Sequence, residues 1–150
     1  MTLKRRIAEL ITETGPIPIS QFMALCLFDP AEGYYTTREP FGAKGDFVTA
    51  PEVSQMFGEL IAVWLYTAWQ AQGAPKDAIF AEIGPGRGTL MRDMTRIWAR
   101  LPGAGDLALA LIETSPRLTA IQKETLGAQN ATWHRDISQL PDAPLFIVGN

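Results

Sequence analysis

A single cysteine and a single histidine, Cys26 and His134, are all that this 150-residue chain holds of two common transition-metal ligands. One thiol closes no intramolecular disulfide, and the pair cannot build a Cys/His zinc site. Cys26 lies in the apolar run FMALCLF and reads as a small core residue. Positive charge is also scarce: 13 lysines and arginines face 16 aspartates and glutamates, for a net charge of −3 and a pI near 5.1. Non-specific nucleic-acid binding normally leaves a basic footprint, so DNA or RNA is not an expected partner. No apolar run approaches the ~20 residues of a membrane-spanning helix. Lys4-Arg5-Arg6 opens the chain as a secretory signal would, but Glu9 and Glu13 interrupt the IAELITETG that follows. The expectation is a cytoplasmic protein without membrane insertion. What the chain does have is apolar content, 47%, enough for an ordered core of single-domain size.

Leu3, Ile7, Leu10 and Ile11 recur at helical spacing until Gly15-Pro16 stops the run. Ser20 is placed to cap a second short helix carrying Phe22, Met23, Leu25 and Cys26, which Asp29-Pro30 ends. Residues 31 to 48 keep no period and read as a long loop anchored by Tyr34, Tyr35, Phe41 and Phe47. From Val53 the signal is strong. Val53, Met56, Phe57, Leu60, Ile61, Trp64, Leu65 and Ala68 form one apolar helical face, closed by Gly73-Ala74-Pro75. Strands are then expected at 78–83, 107–112, 131–134 and 145–148, with helices at 89–101 and 116–126. This alternation predicts an α/β fold with a parallel sheet covered on both faces. About four strands precede the end at Gly149-Asn150, fewer than such sheets usually have, so an incomplete sheet and a longer natural protein are expected.

The loop EIGPGRGTL, Glu82 to Leu90, sits between a strand and a helix, where open parallel sheets bind ligands. Glycine there accepts positive φ and lets a ligand touch the main chain. A P-loop needs Gly-Lys-Ser/Thr, and this loop ends Arg87-Gly88-Thr89. A dinucleotide fingerprint counted from Gly84 needs Gly or Ala where Thr89 stands. The spacing is instead E-x-G-x-G-x-G, from Glu82 through Gly84 and Gly86 to Gly88. It resembles the first motif of class I S-adenosylmethionine-dependent methyltransferases. On that resemblance Glu82 attracts the cofactor's ammonium and the backbone from Gly84 through Pro85 and Gly86 to Gly88 approaches the cofactor. The bland alternative is a tight strand-helix turn with no ligand. Glu113, closing LALALIE, can accept from two ribose hydroxyls or be an ordinary acid before Ser115-Pro116. Asp136 can accept from the adenine amino group, with Ile137 over the ring, or be a turn or cap residue.

GDFVTAPEVSQMFGEL, Gly45 to Leu60, is the second informative stretch. Thr49-x-x-Glu52 reads as a capping box ahead of the amphipathic helix. That leaves the glycine-rich approach and Asp46 unexplained. DPAEGYYTTREPFGAKGDFVTAPEVSQMFGELIAVWL, then EIGPGRGTLMRDM and IETSPRL, closely resemble the MidA family of methyltransferases, from about Ile17 onward. Its most specific part is GDFVTAPEVSQMFGE, which ordinary methyltransferases lack. The resemblance implies a Rossmann-like class I methyltransferase fold with an N-terminal helical extension. Residues 1–75 would form that extension and a loop covering the cofactor, and 76–150 the first half of the cofactor-binding domain. It implies S-adenosyl-L-methionine as cofactor, with Thr49 and Glu52 beside it. Asn150, which matches the first residue of a following Asn-Glu-rich motif, joins the cofactor site. Mitochondrial members are complex I assembly factors that dimethylate an arginine on a subunit, so the implied partner is a protein substrate, a complex I subunit. A guanidinium acceptor needs carboxylates to orient it and take up its proton. Asp46 and Glu52 are the candidates, the bland readings being a loop acid and a helix cap. Tyr34 and Tyr35 can line an acceptor channel or anchor their loop. His134 is a weaker candidate base. The competing function is a cofactor-binding assembly chaperone that transfers no methyl group.

Overall fold

The computed structural model describes residues 1–38 and 48–150. The chain divides into two compact units, Met1–Pro40 and Phe41–Asn150.

The first unit holds α1 (Leu3–Thr14), α2 (Ile19–Phe28) and a single turn, α3 (Tyr34–Thr37). An ion pair between a partly exposed arginine and a buried aspartate ties it together. Arg6 reaches the Asp29 carboxylate at 2.8 Å, and Asp29 also accepts from the backbone N–H groups of Ala31 and Glu32. These interactions, led by the Arg6 guanidinium, hold the Asp29 carboxyl down at about 2. Two expectations change. Ser20 is not the cap of α2: Pro18 is, with φ −59°, and the helix starts at Ile19. Proline presets the backbone two residues earlier than the serine would. Part of the expected long loop is helical, since Gly33 caps α3 and Thr36 and Thr37 hydroxyls donate back to the Gly33 carbonyl.

The second unit begins with α4 (Ala50–Val53) and α5 (Gln55–Ala71). The single helix expected from Val53 is therefore broken at Ser54, which is extended at φ −147° and ψ 121°. Then come β1 (Ile79–Ile83), α6 (Thr89–Trp98), β2 (Ala108–Ile112), α7 (Pro116–Leu126), β3 (Ala131–His134), a 3-10 turn (Ile137–Gln139) and β4 (Leu145–Gly149). The strands are parallel in the order β3-β2-β1-β4. Register aligns Glu82 with Leu111 and Val148, so the carboxyl ends of β1, β2 and β4 finish nearly level.

Alternation along β1 divides the core. Phe80 points to the side of α5 and α6, where it stacks on Trp98 at 4.4 Å, alongside Leu65, Met91, Met94 and Leu111. Such a ring pair adds about 1 kcal/mol beyond the area it buries. The indole N–H of Trp98 donates to the Ala62 carbonyl, so no polar atom of that ring is stranded. Ile79 and Ala81 face the other way with Ala110 and Ile112, and there the packed neighbours are Leu140, Ala143 and Ile147. Both faces are thus covered, the second by a loop segment where a helix was expected.

The face of α5 that packs is also rotated from the expected one. Gly58, Ala62, Leu65 and Trp69 are buried, whereas Met56, Leu60 and Trp64 are each 63% exposed. Small residues decide this: a Cβ at Gly58 would stand 2.8 Å from the Cβ of Asp93 on α6. Periodicity alone cannot choose between two overlapping apolar stripes; close helix approach can.

Candidate functional site

β1 ends in the glycine loop, whose shape follows from three short bonds. The Gly84 N–H donates to the Ile112 carbonyl, tying the loop to the end of β2. The Gly88 N–H donates to the Pro85 carbonyl at 2.7 Å, and the Arg92 N–H to the Gly88 carbonyl. Gly84 has φ +65° with open space where a Cβ would be, so a ligand can reach its backbone. Gly88 has φ +81°, and its missing Cβ would lie 3.4 Å from the side chain of Gln122. Its close neighbour is α7, not the open cleft.

Glu82 lies under this loop at 3% exposure. Its carboxylate accepts from the Met91 N–H in the first turn of α6, where the helix dipole favours negative charge. Its Oε2 is buried with no hydrogen-bond partner. Burial dominates and pushes the carboxyl up to about 8. Thr49, Glu52, Glu82, Gly84, Pro85, Gly86 and Asn150 line one cleft, together with Arg87 and Thr89. Its cavity volume is about 30 Å3, room for an ammonium group but not for a nucleoside. An unpartnered carboxylate oxygen in so small a space fits the ammonium of S-adenosylmethionine.

Glu52 does not close a capping box. Thr49 is the N-cap of α4, but its side chain makes no capping bond. Glu52 accepts instead from the Thr89 hydroxyl at 2.5 Å. The residue that breaks the dinucleotide spacing thus clasps the Thr-Ala-Pro-Glu segment to the glycine loop. Asp46 lies outside the described residues.

Glu113 follows β2 and is half-buried. Oε1 accepts from the Ser115 N–H at 2.8 Å and Oε2 from the Gln122 amide at 3.1 Å. It lines a second, larger groove of about 450 Å3 with Lys123, Trp133 and His134. The His134 ring lies 3.0 Å from the Thr132 hydroxyl. Asp136 and Ile137 line neither cavity. Asp136 caps the 3-10 turn through the Ser138 N–H at 2.8 Å, hydrogen bonds to Ser138 lower its pKa, and Ile137 is 46% exposed. Sequence reasoning missed Thr89 as a partner of Glu52, and Gln122. Neither carries a local signal, because the partners lie in distant segments.

Residues 60–150 match the family model described as "Putative S-adenosyl-L-methionine-dependent methyltransferase". The chain is 38% identical to the Drosophila melanogaster mitochondrial NDUFAF7 homolog, a protein arginine methyltransferase by name, over 93% of this chain and 32% of the relative. It is 37% identical to the human mitochondrial NDUFAF7, over 97% of this chain and 33% of the relative. A crystal structure of a COG1565 superfamily member from Burkholderia thailandensis, bound to S-adenosyl-homocysteine, superposes with a TM-score of 0.79 at 32% identity, covering 98% of this chain and 40% of that one. The chain spans about a third of the length of the curated relatives it matches. The cytoplasmic expectation is overturned, since these relatives are mitochondrial by name. The matched family and the order of strand, glycine loop and helix agree with the MidA resemblance: this chain belongs to that family of S-adenosyl-L-methionine-dependent methyltransferases.

Proposed function

We propose that this protein holds S-adenosylmethionine against its glycine loop and that the whole protein transfers the methyl group to an arginine of a protein acceptor. The observation that carries the proposal is the buried, unpartnered Oε2 of Glu82 in the cleft beside Gly84. A carboxylate at that depth is disfavoured unless a cation reaches it. Glu113 supports the same reading, since each of its oxygens keeps a lone pair for a ribose hydroxyl. Bound S-adenosylmethionine supplies an electrophilic sulfonium methyl. The chain's own contribution is positioning: Glu82 for the ammonium end, Glu113 for the ribose, and Gly84 for close backbone approach. Glu52, oriented by the Thr89 hydroxyl, would steer a guanidinium and accept the proton released as the C–N bond forms. Asp46 is the second proposed acid. Thr49, Pro85, Gly86, Gly88 and Asn150 complete the proposed cofactor shell, with Asp136 and Ile137 at its adenine end. The relatives' names favour an arginine acceptor, and the MidA resemblance favours a subunit of respiratory complex I.

A second reading, a cofactor-binding assembly scaffold, is favoured by the hydrogen bond that already engages Glu52. Calorimetric titration of the full-length protein with S-adenosylhomocysteine tests cofactor binding. Methyl-labelled S-adenosylmethionine with complex I subunits then tests transfer. Binding followed by label on an arginine supports the enzyme. Binding without label on any subunit sinks the proposed acceptor and leaves the scaffold. No binding by the folded protein sinks both.

A further inference from the structure

Gln122 is wholly buried on α7, and nothing above gives it a task. A fully desolvated amide must have its donors and acceptor met. Here they are met by three different elements. Nε2 donates to the Gly86 carbonyl at 2.8 Å and to Glu113 Oε2 at 3.1 Å. Oε1 accepts from the Trp133 indole N–H at 2.9 Å. The amide's orientation is fixed by this set. Turned over, its oxygen would face a carbonyl and a carboxylate, and its NH2 would face another N–H. One side chain therefore joins the glycine loop, the acid after β2, and β3.

The consequence falls on Glu113. With Ser115 N–H on one oxygen and Gln122 on the other, its carboxylate plane is held before any ligand arrives. Each oxygen keeps acceptor capacity, which suits a vicinal diol. Gly88 packs on Gln122 from the loop side, so the amide's position and the loop's position are set together.

We propose that Gln122 is a positioning residue for the cofactor ribose, orienting Glu113 toward the two hydroxyls and fixing the glycine loop in the same act. This rests on the methyltransferase reading above. A merely structural Gln122 would weaken every ligand alike when removed. A positioning Gln122, when removed, weakens ligands that carry the diol more than those that lack it.

The test titrates full-length protein with S-adenosylhomocysteine and with its 2′,3′-dideoxy analogue, in the wild type, Gln122→Leu and Trp133→Phe. Wild type is expected to prefer the hydroxylated ligand by ~30-fold, as sites built around a polar group do. In Gln122→Leu the preference falls to about 3-fold, almost all of it through weaker binding of S-adenosylhomocysteine. Trp133→Phe keeps the amide but frees its oxygen end, and its preference falls between the two. An unchanged preference in a folded Gln122→Leu overturns the proposal. If that variant does not fold, an unchanged preference in Trp133→Phe overturns it. A wild type that binds both ligands equally overturns the proposal and spares the methyltransferase reading. A wild type that binds neither overturns both.

Discussion

Glu82 and Glu113 stand near the carboxyl ends of neighbouring parallel strands, and their surroundings could hardly differ more. Glu82 is almost wholly buried, with a backbone N–H on its carboxylate and nothing on Oε2. Glu113 is half-buried with a donor on each oxygen. The helices that follow them make the difference. α6 starts over Glu82 and shuts out water. α7 starts beyond Glu113 and lends it Ser115 and Gln122. An acid left short of partners in a dry site is poised for a full positive charge. An acid already oriented by neutral donors is poised for further neutral donors such as hydroxyls. The two ends of an amino-acid-bearing nucleoside require those two kinds of acid.

The contrast is most sharply broken at Glu82. Replacing Glu82 by Gln should weaken S-adenosylhomocysteine by ~100-fold, since a bond to a charged group is lost in a dry site. Calorimetry at pH 8.5 reads this. The pH dependence has a definite sign. The folded carboxyl titrates near 8 against an ordinary 4.5, so below 8 the free protein holds a proton that an arriving ammonium must displace. Affinity should therefore rise with pH up to about 8 and level off, with proton release visible as a buffer-dependent heat. Stability without ligand runs the opposite way. The raised folded pKa gives a contribution that is complete below 4.5 and lost as pH rises through about 8. Urea midpoints of Glu82→Gln, which has no proton to lose, should be flatter over that window.

Glu113→Ala comes next, at roughly 30-fold in affinity, with the pH dependence that Glu82 imposes kept. If its affinity loses that pH dependence, the two acids are coupled and are not the distinct pair described here. Gly88→Ala tests the packing between loop and α7. It forces a left-handed residue to carry a Cβ 3.4 Å from Gln122, and should cost about 1–2 kcal/mol in thermal or urea unfolding. Asp136→Ala is the smallest change. It removes the cap of the 3-10 turn and should lower the urea midpoint only slightly. An affinity loss for S-adenosylhomocysteine as large as that of Glu113→Ala would make Asp136 a ligand-binding acid rather than chiefly a cap.

Much of the α/β unit was legible because its signals are local. β1, β2, α7 and β3 lie within a residue or so of their expected bounds, with Gly84 just after β1, and Ser115 and Gly127 on either side of α7. Glu82, Gly84 and Glu52 line one cleft. What was illegible depends on distance. Thr89 meets Glu52 only after α5 has packed, and Gln122 looks like any polar residue in QKETL until three remote segments surround it. The capping box failed for the same reason: a hydroxyl from another helix outcompeted the local partner. Along α5, the choice between Met56, Leu60 and Trp64 and the Gly58 and Ala62 stripe needed the neighbouring helix to be known.

The strand order β3-β2-β1-β4 also sets a timetable. β1 is a middle strand, yet its partner on one side, β4, emerges only after α6, β2, α7 and β3 have been made. During synthesis, at ~5–20 residues per second, β1 spends some seconds with one row of backbone groups unfilled. The wall of the cleft that Asn150 supplies cannot exist in that interval. The cleft is thus complete only after β4 has been made. The growing protein passes through a stage that already owns Glu82 and its loop but has one edge open to a chaperone or to a wrong strand.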